Sequence, residues 1–244
     1  MAGHNKWSKV KNIKGVEDAK RAKIFQKLSR EIYMAVTSGG EDPDANPALR
    51  MAMDKAKSAN MPKSNVERAI DKGMNKTDGE NYDEVTYEGY GPDGIAILVD
   101  TLTDNTNRTL TNIRTIFNKN GGTLGESGSV AFLFDRKGYM AIQREGLDMS
   151  EDDMLMAVLE AGGEDLKTSD EVFEIYTAAE DFGNVRDELE KQGFKLESAE
   201  LTRVPKTYLP LPEEDKDTIM ELIDKLEDDD DVQDVFCNTI LPEE

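Results

Sequence analysis

Cysteine and histidine each occur once in the 244 residues, as Cys237 and His4. One cysteine excludes a disulfide within the chain and fits a reducing compartment. With one of each, far apart in sequence, neither a Cys/His nucleophilic pair nor a zinc site is expected. Carboxylates are plentiful, but 51 Asp and Glu make any acid pair easy to find and therefore uninformative. No apolar run approaches the roughly 20 residues of a membrane span. Nor does an apolar segment follow Lys6, Lys9, Lys11 and Lys14 as it would in a secretory signal. These absences predict a cytoplasmic protein that is not an enzyme, with no metal, no cofactor and no membrane contact.

Positive charge is also scarce, except at one end. Residues 1–79 hold 16 Lys and Arg against 10 Asp and Glu, and residues 80–244 hold 14 against 41. The net charge of −21 therefore divides into +6 and −27. The first thirty residues carry nine basic side chains and two acidic ones. An acidic chain with a basic end is expected to present that end to a polyanion. Beyond a Debye length of about 8 Å the acidic body is largely screened. A solvated basic tail is the bland alternative.

The first 79 residues read as a helical domain. A basic leader, Gly3 to Lys14, precedes a helix from about Glu17 to Val36 with Phe25, Leu28, Ile32 and Val36 on one face. Lys20, Lys23, Lys27 and Arg30 fall on another face, with little acidic spacing to suggest salt-bridge lacing. Asn46-Pro47 caps the next helix, and Ser64 with Glu67 forms a capping box for a shorter one closed by Gly73. Asn75 to Asn81 is polar and turn-rich, a linker.

After the linker the period changes to two. Val85–Glu88 and Ile95–Val99 predict a hairpin, followed by a helix over about 105–120 and a strand over Val130–Phe134. Residues 137–204 read strand, helix, strand, strand, helix, strand, the order of a ferredoxin-like unit. The stretch before it lacks a last helix and strand, which Glu213–Leu226 and Val232–Ile240 supply. The expected fold is therefore α+β: a helical domain (1–79) and two ferredoxin-like α/β domains. One is discontinuous (80–136 plus 205–244) and receives the other (137–204) as an insertion.

Candidate contacts to nucleic acid follow. Gly3-His4-Asn5-Lys6-Trp7-Ser8-Lys9 interleaves rings with lysines, which suits base stacking plus phosphate contact; a Trp7 anchored on the helical bundle is the alternative. Lys9, Lys11, Lys14 and the Lys20, Lys23, Lys27, Arg30 stripe extend the basic surface. Arg108 and Arg114 are further candidates. Gly121–Gly128 reads as a helix cap and turn, because it follows a helix and lacks the Lys-Ser/Thr of a P-loop. Glu227–Asp231 reads as a solvated acidic turn, and Cys237 as a packed thiol.

The segments GHNKW, KRAKIFQKLSREI, NPALRMAMDKAKSANMPKSNVERAIDKG, YEGYGPDGIA, TDNTNRT and GGTLGESGSV, which cover most of residues 1–135, closely resemble the YebC-type family, which includes the mitochondrial translational activator of cytochrome c oxidase. Asn5 stands where the family usually has Ser, and Asp93 where Gly is more usual. The resemblance implies a helical domain plus two α/β domains and a role in nucleic-acid binding without catalysis. Family members are described as DNA-binding transcriptional regulators and as translation factors that help ribosomes through proline-rich stretches. One basic arm on an acidic body suits a pocket in structured RNA, ribosomal or transfer RNA on the ribosome, bound by a monomer. DNA-binding transcriptional regulation is the alternative, and a protein-binding adaptor acting through the acidic domains is the third reading.

Overall fold

The computed structural model describes residues 2–13, 18–75 and 81–241, with side chains in the first segment from Lys6 to Lys11. Lys14 and most of the expected linker lie outside the described residues, as does the side chain of His4. Four helices come first: α1 (Ala2–Ile13), α2 (Asp18–Gly39), α3 (Pro47–Ser58) and α4 (Lys63–Met74). Then come β1 (Asp83–Tyr90), β2 (Ala96–Thr103), α5 (Thr106–Lys119) and β3 (Thr123–Leu124). Next are β4 (Phe134–Gln143), α6 (Glu151–Ala161), β5 (Asp165–Thr168), β6 (Val172–Ala178), α7 (Phe182–Lys191) and β7 (Ser198–Pro205). Finally α8 (Lys216–Asp228) and β8 (Val232–Cys237) follow. The chain divides into two compact units, residues 1–74 with 136–203, and residues 75–135 with 204–244.

In the first unit the bundle core is Leu28, Ile32, Val36, Leu49, Ala52, Ala56 and Met61. Asn46 joins two of its helices. Its side-chain oxygen accepts from the Leu49 amide at 3.1 Å, and its Nδ2 donates to the carbonyls of Ala35 and Gly40 at 2.8 Å each. The third helical segment departs from expectation. Its helix starts at Lys63, directly after Pro62, so Ser64 lies inside it and not at its cap. Gly73 also lies within α4, where a Cβ would come 2.8 Å from the Val36 side chain. Its role is close helix packing.

The second half of this unit forms a sheet of order β5-β6-β4-β7, the strand order of a ferredoxin-like fold. Residues alternate across it. Met140, Ile142, Phe173, Ile175 and Ala199 face the core that also holds Met154, Val158, Val185 and Leu189 from α6 and α7. Tyr139, Glu174 and Glu200 occupy the intervening positions and are also buried.

The other unit is a sheet of order β3-β1-β2-β8. Ile97 and Val99 on β2 pack with Ile113 and Phe117 of α5 and Leu222 and Leu226 of α8. Residues Ala96 and Leu98 on the opposite face of β2 meet Val130 and Phe134, so this strand is buried on both sides. The expected strand at Val130–Phe134 is instead a short 3-10 turn, Ala131–Leu133, with β4 beginning at Phe134. The cause is local. Glu88, only 5% exposed, accepts the amides of Gly128 (2.5 Å), Val130 (2.9 Å) and Ala131 (2.6 Å), which removes those donors from any strand ladder. The glycine-rich loop thus cradles an anion that the chain itself supplies.

The turn between β1 and β2 holds Asp93 at φ 53°, ψ 25°, a left-handed conformation that costs most residues about 1–2 kcal/mol. Asp215 hydrogen-bonds to Asp93, and that bond, with burial and repulsion from Asp93 and Glu214, raises its pKa. A carboxyl raised in the folded state contributes stability at low pH and loses it as pH rises through the raised value. Asp93→Gly should therefore stabilise the chain at pH 7, where it relieves both the backbone and the acid pair. Its advantage should shrink as pH falls from the raised Asp215 value towards the ordinary Asp value of about 4. Thermal unfolding at pH 7 and pH 4 checks this; an advantage that grows at low pH would contradict it.

Candidate nucleic-acid interface

The basic leader is a helix, and it is docked. Trp7 and Val10, three residues apart, form a short buried face of α1. The Trp7 indole N–H donates to Glu171 Oε2 at 3.2 Å, and Lys11 Nζ lies 2.8 Å from both Glu171 carboxylate oxygens. Lys6 pairs with Glu200 at 2.8 Å and sits 6.0 Å from the centre of the Tyr139 ring. Two apolar residues one turn apart were too weak a periodicity to show in sequence that this segment would bury. The expectation of a Trp7 ring free to stack on a base is corrected: in this structure it is an anchor.

The surface that α1 covers is the polar face of the β5-β6-β4-β7 sheet. On an RRM, the corresponding open face stacks bases. Here it is acidic and occupied. Glu200 receives Lys6 and, at 3.9 Å, Lys55, whose ammonium also pairs with Glu31 at 3.1 Å. The Tyr139 hydroxyl donates to Glu174 at 2.8 Å, and burial with the adjacent carboxylate pushes the phenol far above its usual range. On the helical side Arg186, 4% exposed, bonds Asp54 at 3.3 Å and Asp187 at 3.2 Å, and Arg50 reaches Asp187 at 2.8 Å. Burial raises the Asp54 pKa, and Arg186 only partly offsets that. Part of the basic charge of residues 1–74 is thus spent on the acidic segment 136–203.

The α2 stripe is placed differently. Lys20 is exposed, while Lys23, Lys27 and Arg30 are half-buried, on the side of α2 away from Leu28 and Ile32. Each of these last three engages another group in the structure. Lys9 of α1 is exposed.

Arg108 and Arg114 lie on α5 in the other unit. Arg114 is exposed. Arg108 is committed to the fold: it contacts Asp104 at 2.7 Å and Asp231 at 2.8 Å. Asp231, 3% exposed, also accepts from the Thr109 hydroxyl at 2.8 Å, and the two acids raise the Arg108 pKa. Arg108 nevertheless keeps 44% of its side chain exposed. In the acidic turn expected to be solvated at 227–231, Asp228 and Asp230 are exposed, whereas Asp231 is a buried ion-pair partner. Cys237 is half-buried against the core.

Sequence reasoning missed Glu88, Glu174, Glu200 and Arg186. Each had a signal: a lone charge at an otherwise apolar position, as in VTYEGY, VFEIYTA and SAELT, or on the apolar face of α7 beside Phe182 and Leu189. Buried charges are retained only when paired.

Comparison with known proteins agrees along the whole chain. The family described as TACO1/YebC protein N-terminal domain matches residues 5–76, and TACO1/YebC second and third domain matches residues 82–239. A relative from Enterococcus faecalis is 63% identical over 98% of both chains, and one from Ligilactobacillus salivarius 58% over the full length of both; each is named a probable transcriptional regulatory protein. The crystal structure of a conserved hypothetical protein from Aquifex aeolicus, 45% identical, superposes with a TM-score of 0.83 over 93% of both chains. No helix among the described residues is long and apolar enough to cross a membrane.

Proposed function

Because the chain belongs to the TACO1/YebC family, we propose that it is a non-enzymatic nucleic-acid-binding regulator of gene expression. Its target is structured RNA on the ribosome, where it aids synthesis through proline-rich stretches as a cytoplasmic monomer. The observation that carries this reading is the segregation of charge, an excess of Lys and Arg in residues 1–79 on a chain of net −21. Lys20, exposed on α2, makes the first phosphate contact. Lys9, Lys23, Lys27 and Arg30 join it by exchanging the groups they engage for phosphate, as Lys6 and Lys11 do by exchanging Glu200 and Glu171.

The names of the relatives favour a second reading, DNA-bound transcriptional regulation. The turn 59–62 between α3 and α4 has the length of a helix-turn-helix connection. However, the exposed residues of α4 include Glu67 and Asp71 among Lys63, Arg68 and Lys72. A recognition helix with two carboxylates on its outer face is poorly suited to a DNA groove.

The full chain should bind purified ribosomes with an affinity that falls steeply from about 50 to 200 mM salt. Lys20/Lys23/Lys27→Ala should lower the slope of log affinity against log salt by about 2, at roughly 0.7 per RNA phosphate. An unchanged slope removes α2 from the interface. Tight binding to duplex DNA without ribosome binding gives the case to transcription. Charge variants are preferable to deletion of residues 1–79, which would take Lys11 from Glu171, Lys6 and Lys55 from Glu200, and Asp54 from the buried Arg186.

A further inference from the structure

We propose that the outer face of α6 is a docking surface for a basic amphipathic helix of another protein. Leu155, Met156 and Leu159 are 37%, 58% and 51% exposed. At 100° per residue they fall within about 100° of one another on the helix wheel, while Met154, Ala157 and Val158 face the core. Apolar side chains scattered singly on a surface are ordinary; three on one stripe, bordered by charge, mark an interaction site.

The border identifies the occupant. Every other exposed residue of α6 is acidic: Glu151, Asp152, Asp153 and Glu160. From residue 145 to residue 166 the chain has eight carboxylates and no Lys or Arg. This charge repels nucleic acid and anionic lipid, and it would set like charges against each other if a second copy covered the face. A helix with an apolar spine and Lys or Arg on its flanks satisfies both the stripe and its border, and a flexible methionine adapts to the spine.

The probe is a fluorescent peptide of about 18 residues, Leu on one face and Lys on the other, with a Leu/Glu peptide of the same pattern as control. The full-length protein should bind the first and not the second in anisotropy titrations. Leu155/Met156/Leu159→Ser should weaken binding about tenfold or more. Glu151/Asp152/Glu160→Lys should do the same, whereas Glu213/Glu214/Asp217→Lys, on a different acidic surface, should leave most of it. All substituted side chains are exposed, and unchanged circular dichroism and melting confirm that the fold is kept. The proposal is overturned if the peptide fails to bind, if the control reversal weakens binding equally, or if the Ser variant has no effect. It is also overturned if the wild-type chain is a dimer that the Ser variant dissociates, since a second copy then covers α6.

Discussion

Glu88→Ala should destabilise the unit formed by residues 75–135 and 204–244 by about 3 kcal/mol. Three backbone amides, of Gly128, Val130 and Ala131, converge on this one carboxylate. Hydrogen bonds to a charged acceptor contribute about 1.5–3 kcal/mol each, and a buried donor left unpaired costs about 1–3 kcal/mol. The sum is held down because Gly128 is exposed and its amide regains water, whereas Val130 is fully buried and does not. For a unit of this size the loss corresponds to a fall in melting temperature of roughly 10 °C or more. Glu88→Gln should cost less. Val130 and Ala131 share Oε1, which an amide oxygen can replace, while Gly128 would then face an NH2 group. Thermal unfolding and hydrogen exchange at residues 128–131 test the pair. Equal stability of all three chains would show that the loop is held by something other than this carboxylate.

Trp7→Ala should free α1 from the sheet. Truncating a buried Trp costs about 3–5 kcal/mol, and a 12-residue helix is marginal in water without a surface to pack on. The remaining attachments are weaker. Lys11 and Glu171 are each more than half exposed, so that pair contributes at most about 1 kcal/mol; Lys6 with Glu200 is more enclosed. Loss of about 3 kcal/mol raises the population of the released arm roughly 100-fold. Proteolysis at Lys6, Lys9 and Lys11 should accelerate, and exchange protection over residues 6–11 should fall. Trp7→Phe keeps the burial, loses the bond to Glu171 and should sit between the two. Unchanged proteolysis in Trp7→Ala, together with weaker ribosome binding, would return the ring to base stacking. Trp7 is the only tryptophan, so its own fluorescence reports release of the wild-type arm, with a shift to longer wavelength as salt is raised.

Several features were legible because their causes are local. The Asn46-Pro47 cap works through a side chain three residues from its donor. Gly121, Gly162 and Gly193 end helices with positive φ, which glycine adopts without strain. The short apolar runs of β2 and β6, bounded by turn signals, and the helix-period faces of α2, α5 and α8 carried the α+β order through to the two sheets. Misplaced elements share the opposite property. Neither α1 nor the 131–133 turn is determined by its own neighbourhood. One depends on Glu171 and Glu200, more than 150 residues away, and the other on Glu88, about 40 residues away.

By itself, then, the sequence determined most of the helices and strands after residue 17, the charge imbalance between the ends and, with one cysteine, the absence of a disulfide within the chain. All of these are sums over composition or contacts within a few residues. Only the tertiary structure decided which charges remain for a partner. Lys6, Lys11, Arg50 and Arg108 look equivalent to Lys20 on paper, yet each meets a carboxylate brought to it by a distant strand, helix or turn. An ion pair has no sequence period. Whether a lysine faces solvent or a glutamate is settled by how elements pack, because the energy of a charge depends on what lies within a few ångströms of it.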